Sequence, residues 1–386
     1  MRYIAQLDAL RALAILFVLI NHTVPKSHPL FTLSDKVSGP DIFFTLSGFL
    51  ITALLLKDRE AVALQRLTKF RVFLHFFVKR ALRLYPAYVL LVGLDFFLRG
   101  LPAASYGPYV SFTSNLVIYQ QQDWGPLAHL WTMAVEQQFY LLWPFVLLLL
   151  PRPWLPYAIA FFVSVGLYSQ HAVPATDFSH VLPHTCLDAL GLGALLAWVV
   201  LEKPQYLPQL YRGLCGLAFA SIALMVAPSA FGFAPPLPQR TLVAVLVVWL
   251  ISYFVVRGEK EGGMVNAVLT TKPLLVIGKL SYGIYLYHLT VLSCAYPVLD
   301  RLNRYLPFYE SSAYGYWLVE SLLLIGAVAW GSWNYVERPL QARSKHWLRK
   351  KTTSPTRSPR RPNRGEVVDS RRALFPFAVP EGASAS

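Results

Sequence analysis

The chain has 386 residues, 55% of them hydrophobic and only 14% charged, with a formal net charge of +15. Soluble domains carry about 25% charged residues, so these proportions exclude an ordinary soluble enzyme. The excess charge is local: residues 57–83 carry +6 and residues 338–386 carry +9, leaving the rest neutral, which marks two basic patches beside a membrane rather than a nucleic-acid surface.

A helix needs roughly 20 mainly apolar residues to cross a bilayer core. Ten such runs occur in chain order: about 7–24, 39–57, 83–99, 130–150, 153–170, 183–201, 211–227, 239–257, 273–296 and 313–336. The expectation is therefore an all-α polytopic membrane protein with about ten transmembrane helices. The first run contains Arg11 and no small-residue cleavage site follows it, so it reads as a retained helix rather than a signal peptide. Positive charge marks inner loops. With the 57–83 segment inside and an even number of spans, both termini are expected in the cytoplasm. Residues 1–340 form the expected transmembrane domain. Residues 341–386 form a basic Pro/Ser/Arg-rich tail without apolar periodicity, expected to be disordered, serving either to attract anionic lipid or only to enforce topology. No internal repeat is evident. The three cysteines, Cys186, Cys215 and Cys294, are scattered through apolar runs, which excludes a disulfide framework or a structural zinc site.

Ionisable groups inside spans are expensive and mark functional candidates. Arg11 and His22 share the first span. Eleven residues apart, they fall on nearly one helical face, separated by about 16 Å. A fixed cation at one end and a titratable base at the other suits a site that an anionic carrier approaches from inside. The alternative is a snorkelling arginine and an interfacial histidine. The second span opens G-P-D-I-F-F-T-L-S-G-F-L-I, placing Asp41 at about the depth of His22, where it could orient the imidazole. Ser47 could be a nucleophile, but the Ser47-Gly48 pair reads more readily as a close helix contact. In F-F-V-K-R-A-L-R-L-Y-P-A-Y, Lys79, Arg80 and Arg83 gather at the inner face, with Pro86 able to kink the helix. Arg80 and Arg83 share a face, and guanidinium groups bind phosphate bidentately; a plain positive-inside anchor is the competing reading. The fourth span, H-L-W-T-M-A-V-E-Q-Q-F-Y-L-L-W-P, carries Glu136. That carboxylate needs a partner, which His22 or Arg11 could provide, and His129 is expected on its face. His288, in I-G-K-L-S-Y-G-I-Y-L-Y-H-L-T-V, reads as a structural hydrogen-bonding group.

Taken together, L-D-A-L-R-A-L-A with Arg11-x10-His22, D-I-F-F-T-L-S-G-F-L-I, K-R-A-L-R-L-Y-P, H-L-W-T-M-A-V-E-Q-Q-F-Y-L-L-W-P, L-S-Y-G-I-Y-L-Y-H and Y-V-E-R-P resemble the acyltransferase 3 family of integral membrane O-acyltransferases, in order over roughly residues 5–340. The resemblance implies a ten-helix fold, an acyl-coenzyme A donor at the cytoplasmic face and acyl transfer to a hydroxyl, usually on a sugar. It makes Arg11 and His22 the family's first-helix pair, Arg80 and Arg83 its basic pair, and Glu136 its acidic position in the fourth helix. Two positions depart from the pattern. The family commonly has Glu-Glu where this chain has Glu136-Gln137, and an arginine often found at the start of the sixth span is missing near Cys186. The basic tail, without an esterase-like domain, resembles the stand-alone members.

The function expected from the sequence is a multi-pass inner-membrane O-acyltransferase that moves acetyl or another short acyl group from acyl-CoA to a cell-surface glycan or its lipid-linked precursor. Expected catalytic residues are His22, Glu136 and Asp41; expected donor-binding residues are Arg11, Lys79, Arg80 and Arg83. No metal, permanently bound cofactor or nucleic acid is expected. The alternative acceptor is a diffusible glycosylated metabolite or lipo-oligosaccharide, and the alternative class is a transporter or flippase lined by the same charges.

Overall fold

The computed structural model describes residues 4–174, 176–232, 237–257, 263–305 and 309–343; of the expected tail, everything from Ser344 on lies outside the described residues. Those residues are helical with connecting turns. The first four helices are α1 (Ala5–Thr23), the short α2 (Pro29–Lys36), α3 (Gly39–Ala63) and α4 (Lys69–Arg99). Two short helices follow, α5 (Gly107–Val110) and α6 (Ser114–Gln121), then α7 (Trp131–Leu149), α8 (Leu155–Ala172), α9 (Leu187–Glu202) and α10 (Leu207–Phe231). The chain continues through α11 (Gln239–Arg257), α12 (Met264–Leu269), α13 (Lys272–Asn303) and α14 (Tyr309–Ser332), ending in a π-helical turn at Trp333–Glu337.

Among the described residues, nine helical stretches are long and apolar enough to cross a membrane. The expected span at 153–170 does form a helix, α8, but it falls short by that measure because its end is polar, with Ser169, Gln170 and His171. Its 18 residues still measure about 27 Å. The segment 57–83, expected as an inner loop, is mostly helix. Residues 57–63 complete α3 and residues 69–83 begin α4, leaving 64–68 as the connection. Thr68 sets the start of α4 by accepting a hydrogen bond from the Arg71 amide at 3.3 Å. Pro86 is accommodated inside α4, which continues to Arg99 and closes on Gly100 at φ 62°.

In lipid, helix association depends on close packing rather than on a hydrophobic difference between helix and solvent. The most extensive pairing is α3 against α9, where small residues let the backbones touch. A methyl group on Gly48 would strike the Leu190 carbonyl, and one on Gly193 would strike the Thr45 carbonyl. α1 lies against α13 in the same manner, with Gly278 at the Asp8 backbone. α7 is tied to α3 by the fully buried Trp143, whose indole N–H donates to Thr52 Oγ1 at 2.8 Å.

This packing generates a paired prediction. Gly193→Ala places a methyl group into backbone that has no room to yield, so it should destabilise the protein by about 1–3 kcal/mol. Gly213→Ala in α10, where the added carbon meets nothing within 4 Å, should be neutral or slightly stabilising because alanine favours helix. Thermal unfolding of the two variants in detergent checks this, and equal behaviour would contradict the α3–α9 contact.

Candidate active site

Among the described residues, α1 and α3 both line two neighbouring cavities. The larger, of about 700 Å3, receives His22 from α1, Asp41 from α3, His129 from the turn before α7, and Arg240 from α11. The smaller, of about 100 Å3, receives Arg11 from α1, Ser47 from α3, Arg80 and Arg83 from α4, and Glu136 and Tyr140 from α7. Pro40 and Tyr285 line both. The Tyr285 hydroxyl is fixed there, donating to the His129 carbonyl and accepting from Thr132 Oγ1, each at 2.6 Å. The eleven-residue spacing on one helix therefore puts Arg11 in the smaller cavity and His22 in the larger.

In the smaller cavity, Ser47 Oγ donates to Glu136 Oε1 at 2.7 Å and accepts from the Tyr140 hydroxyl at 3.1 Å. The partner of Glu136 is thus Ser47, not His22 or Arg11. Tyr140, one turn along α7, completes the chain, while Arg11 is engaged by Asp8 on its own helix at 2.8 Å. Ser47, read from the sequence as a packing residue, belongs to this polar chain, and the neighbouring Gly48 carries the packing. The Arg80 guanidinium lies 4.9 Å from the Tyr140 ring centre and 5.9 Å from that of Phe76. Arg83 makes no ion pair or hydrogen bond among the described residues. Both arginines are half-buried and open onto the cavity, an arrangement suited to an anion. Lys79 is exposed and lies outside both cavities, because position 79 projects from a different face of α4.

The larger cavity is organised differently. Asp41 does not orient His22; it forms an ion pair with Arg240 at 2.6 Å, both side chains almost completely buried. Arg240 also donates to the Thr185 carbonyl at 3.0 Å and to Cys186 Sγ at 3.1 Å. An arginine therefore does stand beside Cys186, supplied by α11 instead of the start of α9. Asp188, fully buried, accepts from Thr241 Oγ1 at 2.6 Å. Neither Arg240 nor Asp188 was singled out in the sequence, where each reads as a polar residue near a helix start.

His129 and Glu136 were expected on one helical face, but α7 begins at Trp131 and His129 sits in a 3-10 turn, so the two enter different cavities. Three imidazoles instead form a row. His22 and His288 have ring centres 5.1 Å apart, and His288 and His129 5.0 Å apart. His288 Nδ1 donates to the Tyr285 carbonyl at 2.7 Å and His129 Nε2 donates to the Leu286 carbonyl at 2.9 Å, which fixes both tautomers. His180, in the connection between α8 and α9, lies against Trp124 and Trp131 and was also missed; the cavity walls and the nearby charge of Arg240 push its pKa down to about 4. No group of His, Cys, Asp and Glu arranged to hold a metal ion occurs among the described residues.

A family model described as "Acyltransferase domain" matches residues 4–334. The chain is 28% identical to O-acetyltransferase OatA of Staphylococcus aureus (strain NCTC 8325 / PS 47), over 88% of this chain and 57% of the relative. It is 30% identical to the peptidoglycan O-acetyltransferase OatA of Listeria monocytogenes serovar 1/2a, over 78% of this chain and 51% of the relative. The chain thus spans little more than half the length of these relatives. No solved structure matches.

The Asp41–Arg240 pair should be strongly coupled. Removing one partner of a buried ion pair leaves the other charge uncompensated, at a cost of about 3–5 kcal/mol. Asp41→Asn and Arg240→Gln should each destabilise by that order, and the double variant by clearly less than their sum. Strict additivity in a detergent unfolding cycle would contradict the pairing.

Proposed function

The chain belongs to the acyltransferase 3 family, and from that premise we propose that it is an inner-membrane O-acyltransferase carrying a short acyl group, such as acetyl, from cytoplasmic acyl-CoA to a hydroxyl of a cell-surface glycan or its lipid-linked precursor. The observation that carries the reading is the pair of cavities sharing Pro40 and Tyr285 in their walls, one rich in guanidinium groups and the other holding His22 beside the closed Asp41–Arg240 pair and several uncharged polar side chains. Arg80 and Arg83 would bind the donor's phosphates, with Arg11 nearer the thioester. The names of the relatives favour acetyl as the group and a wall glycan as the acceptor.

In the proposed reaction the acceptor oxygen attacks the thioester carbonyl while its proton passes to His22, the carbon–sulfur bond breaks, and that proton is passed on to the departing thiolate, which leaves as free thiol and returns His22 to its neutral form. The hydroxyl's own pKa is too high for useful attack, which is why a base is needed. Glu136, held by Ser47 on the donor side, would polarise that side of the site, and Asp41 would act through Arg240 on the acceptor side. The donor cavity faces the cytoplasm in this scheme, on the side of the 64–68 connection within the basic 57–83 segment. In the same scheme α8 crosses with the other nine, which, with the donor cavity facing inward, would put both ends of the chain on the cytoplasmic side.

Three measurements test this reading. Purified protein given acetyl-CoA should release free thiol in proportion to acylated acceptor; acceptor movement without thiol release would instead make it a transporter. His22→Ala should lose about 10²–10⁴ in turnover, whereas Arg80→Ala and Arg83→Ala should raise the donor KM roughly ten- to a hundredfold, each losing charge-assisted hydrogen bonds. An unchanged donor KM in both arginine variants would reduce the cluster to a topology signal. Reporter fusions at Leu33, Gly107 and Pro174 should report outside and a fusion at Leu64 inside; the reverse at Leu64 would overturn the donor side.

A further inference from the structure

The larger cavity has an aromatic corner that the proposed chemistry does not use. His180 stands between two indoles, its ring centre 5.5 Å from Trp124 and 5.3 Å from Trp131, and Phe178 backs Trp124 at 5.0 Å. Trp124, Trp131 and His180 all line the cavity, yet they come from separate parts of the chain: the connection before α7, the start of α7, and the connection between α8 and α9. Trp131 is anchored in the apolar core, whereas Trp124 is half-buried and His180 exposed, so the corner presents ring surface to a chamber lined by many polar side chains.

The charges of the cavity narrow what such a corner can take. Among the described lining residues, the one permanent cation is Arg240, and it is committed to Asp41 at 2.6 Å and to the Thr185 carbonyl. The remaining formal charge is acidic, from Asp35, while Asn21, Ser34, Ser38, Gln170 and Gln239 offer uncharged donors and acceptors. A carboxylate or phosphate on a ligand here would meet no uncommitted permanent cation and would face the like charge of Asp35. An uncharged ring with hydroxyls at its rim and C–H bonds on its faces meets aromatic faces, amides and hydroxyls.

We propose that the corner formed by Trp124, Trp131 and His180 is a pyranose-stacking subsite that selects an uncharged sugar unit of the acceptor. This rests on the acyl-transfer reading for its biological sense, and it names the acceptor class: a neutral hexose or N-acetylhexosamine ring held beside His22, with uronic acids and phosphorylated sugars excluded. Trp124 lies in a surface connection, so it tolerates substitution better than Trp131, which packs edge-on against Phe44 at 5.8 Å.

The test separates binding from turnover. The full chain in detergent is titrated calorimetrically with a neutral N-acetylhexosamine disaccharide and with a matched disaccharide containing a uronic acid. The neutral sugar should bind, and the acidic one should bind at least about tenfold more weakly. Trp124→Ala should weaken the neutral sugar roughly tenfold, the scale of a lost aromatic contact, and Trp124→Phe should restore most of the loss. Equal binding of both sugars, or no change in Trp124→Ala with the fold intact by thermal unfolding, overturns the subsite. Thiol release from acetyl-CoA, followed in parallel, reports on acyl transfer independently, so a failure of that reading is distinguishable from a failure of this one.

Discussion

The contact on which the rest of the structure depends is the backbone-to-backbone approach of α3 and α9 through Gly48 and Gly193. α3 is the wall shared by the two cavities, with Asp41 toward the larger, Ser47 toward the smaller and Pro40 at the junction. α9 brings Asp188 and, at its start, Cys186 against the end of α11 that carries Arg240. Because lipid gives little drive for helix association, small residues that admit close van der Waals contact set the spacing. A wider spacing would draw Cys186 and the Arg240 it contacts away from Asp41 on α3.

Charge is distributed between the cavities by the same physics. In a low-dielectric interior a buried charge is tolerated where it is paired. Asp41 with Arg240 and Asp8 with Arg11 follow that rule. Arg80 and Arg83 depart from it, since neither has a carboxylate partner within ion-pair distance among the described residues, and both open onto the smaller cavity. The proposed donor supplies the missing anion. The larger cavity holds its permanent cation in a closed pair, so the two chambers suit ligands of opposite character: an anionic carrier in one and an uncharged sugar in the other.

Much of the architecture was legible in the sequence because it follows from composition and local periodicity. Ten apolar runs mark the long helices, and the spacing of Arg11 and His22 on one helix places them in adjacent cavities. Arg80 and Arg83, three apart, also enter one cavity together. What the sequence left open depends on contacts between distant segments. Asp41 pairs with Arg240 across about 200 positions, and no local pattern chooses Arg240 over His22 as its partner. Unbroken helical periodicity places His129 on the face of Glu136, but α7 begins two residues later, at Trp131. Ser47 and Gly48 illustrate the limit well: adjacent residues, one packing against Leu190 and the other hydrogen-bonded to Glu136, carry one indistinguishable small-residue signal in the sequence.

The central claim is that donor and acceptor occupy separate cavities that meet at Pro40 and Tyr285. A structure of the protein with a non-transferable thioether analogue of acetyl-CoA tests it most directly. The account predicts phosphate groups against Arg80 and Arg83, with the acyl end reaching Tyr285 and the His22 cavity left free for acceptor. Phosphates lodged in the larger cavity beside Arg240, with the smaller one empty, would contradict it.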